Sequence, residues 1–234
     1  MDADFPDEMT ESIERFFREV HPKLIPGQDV YPEVFETALF FPLQRQRELA
    51  RMMQIARSIS PKTVMEIGAD KGGGLYHWCN SLPTVKNVIA CEIRGTPYGG
   101  IFEDGFPITS FLWIEGPSRD ASLLGLVKTY LKTETIDCLF IDGCKLTMLE
   151  DFDAYLPTMS KGGIVFIHDV QDDYPAQTFN ALRNRGYRTE LILDKSEASE
   201  AVAREKAGEV TKSPWDGWLK YWNGRSCGVG VVYV

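Results

Sequence analysis

Short apolar runs alternate along the chain with segments whose apolar residues recur at helical spacing. Met9, Ile13, Phe16, Phe17 and Val20 share one face of a helix over residues 7–20, and Pro22 ends it. After Pro42 a second stripe, Leu49, Met52, Met53 and Ala56, predicts another helix. Ser60-Pro61 closes that one, because the residue before a proline is biased away from helical backbone. Five β-rich runs follow: 63–68 (TVMEIG), 87–94 (NVIACEIR), 110–115 (SFLWIE), 136–142 (IDCLFID) and 163–169 (GIVFIHD). Long stretches after the first and fourth leave room for crossover helices, so a parallel sheet is the economical arrangement. Residues 174–185 predict a helix stopped by Gly186, with strands at 187–193 and 228–234. The aromatic group Trp215, Trp218, Tyr221 and Trp222 reads either as a helix face on the core or as a wall over a substrate pocket.

Size and composition narrow the class. At 234 residues the chain suits one α/β domain over 61–234 with an N-terminal helical extension over 1–60 packed on it. A hydrophobic share of 44% and a charged share of 25% exclude a disordered tail and a membrane protein. The formal charge of −9 repels phosphate backbones, so nucleic acid is a poor partner and a small molecule the better one. Neither an apolar leader in the first twenty residues nor a run of eighteen apolar residues occurs. Cys79, Cys91, Cys138, Cys144 and Cys227 stand far apart with no CxxC pair; they read as reduced thiols of a cytoplasmic protein, mostly acting as small hydrophobes.

The first strand runs into Glu66-Ile67-Gly68-Ala69-Asp70-Lys71-Gly72-Gly73-Gly74 and then a helix near 75–81. Glycines there let a ligand approach the backbone, or simply make a tight turn. The spacing fits neither G-x-G-x-x-G nor G-x-x-x-x-G-K-[ST], which disfavours nicotinamide dinucleotides and ATP. Glu92 closes the second strand, where a carboxylate of this fold accepts ribose hydroxyls. Asp142 ends the fourth strand with Lys145 three residues on, and His168-Asp169 ends the fifth at the same sheet edge. A carboxylate at the end of an apolar strand needs a partner. Plainer roles stay open for the neighbours: a buried, hydrogen-bonded His168, a capping Asp169, a surface Lys145.

ExGxxxGG at 66–73, the strand-end Glu92, Gly116-Pro117-Ser118-Arg119-Asp120 and FIDG at 140–143 together resemble the class I S-adenosylmethionine-dependent methyltransferases. Within them the sequence is most similar to the metal-dependent catechol and caffeoyl-CoA type and the antibiotic-sugar O-methyltransferases. The resemblance implies a Rossmann-like, doubly wound seven-stranded sheet, mostly parallel with an antiparallel last strand. It implies that Glu66, Gly68, Ala69, Gly72 and Asp142 meet the cofactor's amino-acid end and the adjoining loop, Glu92 the ribose, and Ser118 and Arg119 the adenine edge. It further makes Asp142, His168 and Asp169 candidate ligands of a magnesium or manganese ion, and Asp142 and Lys145 the catalytic pair, with Lys145 as base if a neighbouring cation or burial lowers its pKa. The expected reaction is metal-assisted O-methylation of a small catechol or vicinal diol by a protein that allows a homodimer. The alternatives are a non-catalytic cofactor-binding protein of the same fold and a hydroxylase-like or metal-independent relative.

Overall fold

The structure, a computed structural model, describes residues 7–36, 44–93, 106, 108, 110–194 and 227–234. The aromatic group at 215–222 lies outside the described residues. Helices α1 (Asp7–Glu19), α2 (Pro32–Glu36) and α3 (Gln46–Arg57) precede strand β1 (Thr63–Ile67), helix α4 (Gly73–Ser81) and strands β2 (Asn87–Glu92) and β3 (Ser110–Glu115). Helix α5 (Ala121–Leu131), β4 (Ile136–Ile141), α6 (Met148–Tyr155), β5 (Met159–His168), α7 (Asp173–Asn184), β6 (Arg188–Ile192) and β7 (Val229–Tyr233) complete the order.

The seven strands form one sheet in the order β3-β2-β1-β4-β5-β7-β6. Strands β1 to β5 are parallel, and β7 runs antiparallel between β5 and β6. The expected Rossmann-like sheet with an antiparallel last strand is therefore the observed one. Period-two alternation sorts the strands' side chains onto two faces. Val64, Phe140, Phe166 and Val231 share a buried cluster with Ile13 and Phe16 of α1, the α3 stripe Leu49, Met52, Met53 and Ala56, and Trp78 of α4. Met65, Ile89, Leu139 and Ile167 pack on the other side against Val127 of α5, Phe152 of α6 and Leu182 of α7. Gly186, at φ +92°, stops α7 as expected: its N–H donates to Arg183 O at 3.0 Å.

Strand β5 begins four residues before the sequence pattern suggested. Met159 pairs with Ile136, and the register then shifts between Ile136 and Cys138. Gly162, at φ +84°, lies within the shifted stretch. Met159-Ser-Lys-Gly-Gly163 looks like a turn in the sequence, and only pairing with β4 makes it a strand.

The segment before α2 is pinned to α4 by a buried imidazole. His77 Nε2 accepts the Tyr31 N–H at 3.2 Å, so its proton sits on Nδ1 and is donated to Gly73 O at 2.9 Å. Burial holds the His77 pKa down at about 4. A histidine with a depressed folded-state pKa contributes its full stability above its unfolded pKa and loses it as pH falls towards the folded value. Between roughly pH 6.5 and 4, His77 should therefore cost the fold about 3 kcal/mol. His77→Gln, which keeps one donor and one acceptor without a titrating proton, should flatten that part of the stability profile in urea titrations; a slope equal to that of the unmodified protein would refute the assignment.

Candidate functional site

The tip of β1 is tied to β2 where Gly68 N–H donates to Cys91 O and to β4 where Asp142 N–H donates to Ile67 O, both at 2.8 Å. A Cβ on Gly68 would lie 2.6 Å from the Asp142 carbonyl carbon, and its φ is +86°, so only glycine fits. Gly72, also left-handed, leads into α4. Gly74 has a separate reason to be glycine: a Cβ there would sit 2.4 Å from Glu66 Oε1. Glu66 is buried, and burial, then Asp142, raises its pKa well above the usual carboxylate range. Glu92 accepts the Asp70 N–H at 2.9 Å and thereby ties the second strand to the glycine loop.

Residues 66–74 other than Gly72, with Glu66, Gly68 and Ala69 among them, line together with Glu92 a cavity of about 620 Å³ that also includes Ser118, Arg119, Asp142, Lys145, His168 and Asp169. All the residues proposed from sequence for the cofactor or the chemistry, Gly72 apart, thus line one space, and Gly72 lies on the loop between lining residues. At its far side, Ser118 donates to Asp151 at 2.5 Å and Tyr155 donates to the Ser118 carbonyl at 2.6 Å. Asp120 caps α5 by accepting the Ser122 N–H at 2.8 Å, which fixes the turn carrying Ser118 and Arg119.

The remaining wall is charged. Lys145 Nζ lies 2.5 Å from Asp142 Oδ1 and 2.7 Å from Asp169 Oδ2, bridging the two carboxylates. His168 Nδ1 donates to Asp142 Oδ1 at 2.9 Å, and Gln44 Nε2 donates to Asp142 Oδ2 at 2.8 Å. Burial works against every charge here, but the opposite charges outweigh it. Asp142 and Asp169 are held below the usual carboxylate range by His168 and Lys145. The two carboxylates in turn raise His168 and Lys145. The expectation of a lowered Lys145 pKa is thus reversed, because its nearest neighbours are anions. Asp169 adopts a left-handed backbone at φ +57°, a conformation that costs a non-glycine residue energy and often marks a functional site.

Asp142, His168 and Asp169, the three proposed metal ligands, are in one network, yet they are not the set gathered within reach of one ion. Among the described residues that set is His168, Asp169 and Cys227, whose ligand atoms all lie within 4.8 Å of one another. Sequence reasoning missed Cys227, Gln44, Asp151 and the constraint on Gly74. Gln44 belongs to no motif and reaches Asp142 across 98 positions.

Residues 65–170 match the family model described as a methyltransferase domain. The matched stretch runs from strand β1 to just past strand β5. Solved structures agree on the fold. An O-methyltransferase from Bacillus cereus, in complex with S-adenosylhomocysteine, is 12% identical at a TM-score of 0.53, covering 99% of this chain and 93% of that one. The O-methyltransferase TomG from Streptomyces achromogenes, in complex with S-adenosylmethionine, is 16% identical at 0.53, covering 99% and 91%. MycE, a methyltransferase of the mycinamycin biosynthetic pathway solved with magnesium, is 16% identical at 0.51, covering 98% of this chain and 62% of that one. No curated protein matches the sequence. The strand-end loops of the matched stretch, which in this fold form the ligand crevice, are the ones that line the cavity here. No helix among the described residues is long and apolar enough to cross a membrane.

Proposed function

We propose that the chain is an S-adenosylmethionine-dependent methyltransferase that methylates an oxygen of a small acceptor. One observation carries this reading: a single cavity runs from the glycine loop and Glu92 to the Asp142, Lys145, His168 and Asp169 wall. Bound there, S-adenosylmethionine supplies an electrophilic methyl group. Glu66, Gly68, Ala69, Gly72 and Asp142 take its amino-acid end, Glu92 its ribose, and Ser118 and Arg119 its adenine edge. The charged wall holds the acceptor oxygen against the methyl carbon, and orientation of that kind contributes roughly 7–11 kcal/mol. Lys145, kept charged by two carboxylates, acts as a positive neighbour that favours the ionised acceptor hydroxyl, in place of the base expected from sequence.

Catechols and vicinal diols suit this wall, since one hydroxyl can ionise beside Lys145 while the other accepts from or donates to the neighbouring polar groups. A charge of −9 argues against a nucleic-acid acceptor. Free thiols at all five cysteines fit the cytoplasm. Magnesium and manganese do not fit well: they prefer oxygen donors, whereas Lys145 bridges the two carboxylates and the gathered donors are nitrogen, oxygen and sulfur.

Titration calorimetry with S-adenosylmethionine and its demethylated product tests binding. Glu92→Gln keeps the shape and removes the charge; it should weaken binding about 10- to 100-fold, equivalent to roughly 1.5–3 kcal/mol for hydrogen bonds to a charged group. Transfer of labelled methyl to a panel of catechols and diols tests the reaction. Binding without transfer to any acceptor supports a non-catalytic relative, and no binding removes the proposal.

A further inference from the structure

We infer that the buried Asp151 is a positioning residue that fixes which way the Ser118 hydroxyl points, and that it thereby makes the cavity favour a 6-amino purine over a 6-oxo one. The inference rests on the reading that Ser118 and Arg119 meet the adenine edge of the cofactor. On helix α6, Asp151 and Tyr155 are four residues apart and so share one face. Both reach the same residue. Ser118 Oγ donates to Asp151 Oδ1 at 2.5 Å, and the Tyr155 hydroxyl donates to Ser118 O at 2.6 Å. Asp151 and Tyr155 are 1% and 0% exposed, and neither lines the cavity; Ser118 is half-buried and does.

Donors face Asp151 from both sides. Arg119 Nε lies 3.6 Å from Oδ1, and Thr147 Oγ1 lies 3.5 Å from Oδ2 and 3.2 Å from Cys144 O. Burial raises the Asp151 pKa, while Ser118, Arg119 and Thr147 each draw it back down by favouring the charged form. An ionised carboxylate only accepts, so the single hydroxyl proton of Ser118 is committed to it. What Ser118 Oγ keeps for a ligand is its lone pairs.

That commitment decides which base edge fits. A serine oxygen whose proton is engaged accepts from a ligand and cannot donate to it. The exocyclic amine at position 6 of adenine is a donor, whereas an oxygen at the same position is an acceptor. Adenine therefore gains a hydrogen bond at Ser118. A 6-oxo base brings two acceptors face to face and leaves both without a partner after their water has been displaced, which is the more costly outcome. Sites built to bond one polar group reject the analogue that lacks it for the same reason. Ser118 touches the base and Asp151 does not, so Asp151 acts only through the direction of one O–H bond.

Titration calorimetry on the full-length protein compares S-adenosylhomocysteine with S-inosylhomocysteine, its 6-oxo counterpart. The unmodified protein should bind the adenosyl ligand about 10- to 1,000-fold more tightly. Asp151→Ala leaves the Ser118 hydroxyl free to turn and donate, and should shrink that preference about tenfold. Asp151→Leu also removes the acceptor but fills the space, so it gives the same reading if the smaller variant does not fold. Ser118→Ala should shrink the preference too, by weakening the adenosyl ligand alone. Tyr155→Phe is the control: it releases the other anchor of the same turn, and should weaken both ligands in parallel with the preference unchanged. A loosened turn would instead lower both affinities together in every variant. Equal binding of the two ligands by the unmodified protein, a preference that survives Asp151→Ala, Asp151→Leu or Ser118→Ala, or one that falls as far in Tyr155→Phe would each overturn the inference. Binding of S-adenosylhomocysteine without preference removes this inference alone, and binding of neither ligand removes the cofactor reading with it.

Discussion

Gly68→Ala should destabilise the protein by several kcal/mol and abolish cofactor binding. Two effects add. At φ +86° a side chain is strained whatever surrounds it, at about 1–3 kcal/mol. The new methyl group would also lie 2.6–2.7 Å from the backbone of Asp142 and Gly143, which cannot yield without prising apart the tips of β1 and β4. Gly186→Ala is the internal control, because Gly186 has φ +92° but, among the described residues, nothing within 4 Å of its Cβ position. Thermal melts of both variants separate the contributions, and calorimetry with S-adenosylmethionine reads the site. Equal losses of stability in the two variants would show that the close approach at Gly68 has no weight of its own.

Asp142→Ala is the other substitution with a large expected effect. Asp142 and Asp169 balance Lys145 and His168 in a wall where both carboxylates are largely shielded from water. Deleting Asp142 leaves two cations facing one anion and strands Gln44 Nε2; removal of one partner from a buried pair typically costs about 3–5 kcal/mol. The urea midpoint should fall accordingly with an unchanged slope. Adding Lys145→Met restores one positive and one negative group, so the double variant should recover part of the loss. A double variant no more stable than Asp142→Ala would mean that lost packing, not unbalanced charge, dominates.

Much of this molecule is legible one strand at a time. Val64-Met65, Ile89, Phe140 and Ile167 lie in dense apolar runs, and the helices end at Gly186 and before Pro61, where backbone chemistry leaves little choice. That Glu66, Gly68, Glu92 and Asp142 line one cavity was legible because they are punctuation after those runs, and a parallel sheet puts all such ends on one edge. What escaped depends on pairing between distant segments. Cys227 joins His168 only through the β5–β7 register, and the bulge that starts β5 at Met159 needs Ile136 opposite. The charge state of Lys145 escaped for a related reason. Asp142 is three residues away in sequence, but the reversal of its expected pKa shift also requires Asp169, which arrives from the neighbouring strand.

The insertion of β7 between β5 and β6 also has a consequence for the order in which a growing chain can fold. During synthesis the first five strands can assemble as soon as β5 has emerged, but among the described residues β6 has no neighbour except β7. Until residues 229–233 are made, β5 keeps an open outer edge and β6 remains an unpaired strand, the condition in which nascent chains stick to one another. The same five residues that close the sheet bring Cys227 beside His168. Closure of the sheet and the approach of Cys227 to His168 are therefore a single event that waits for those five residues.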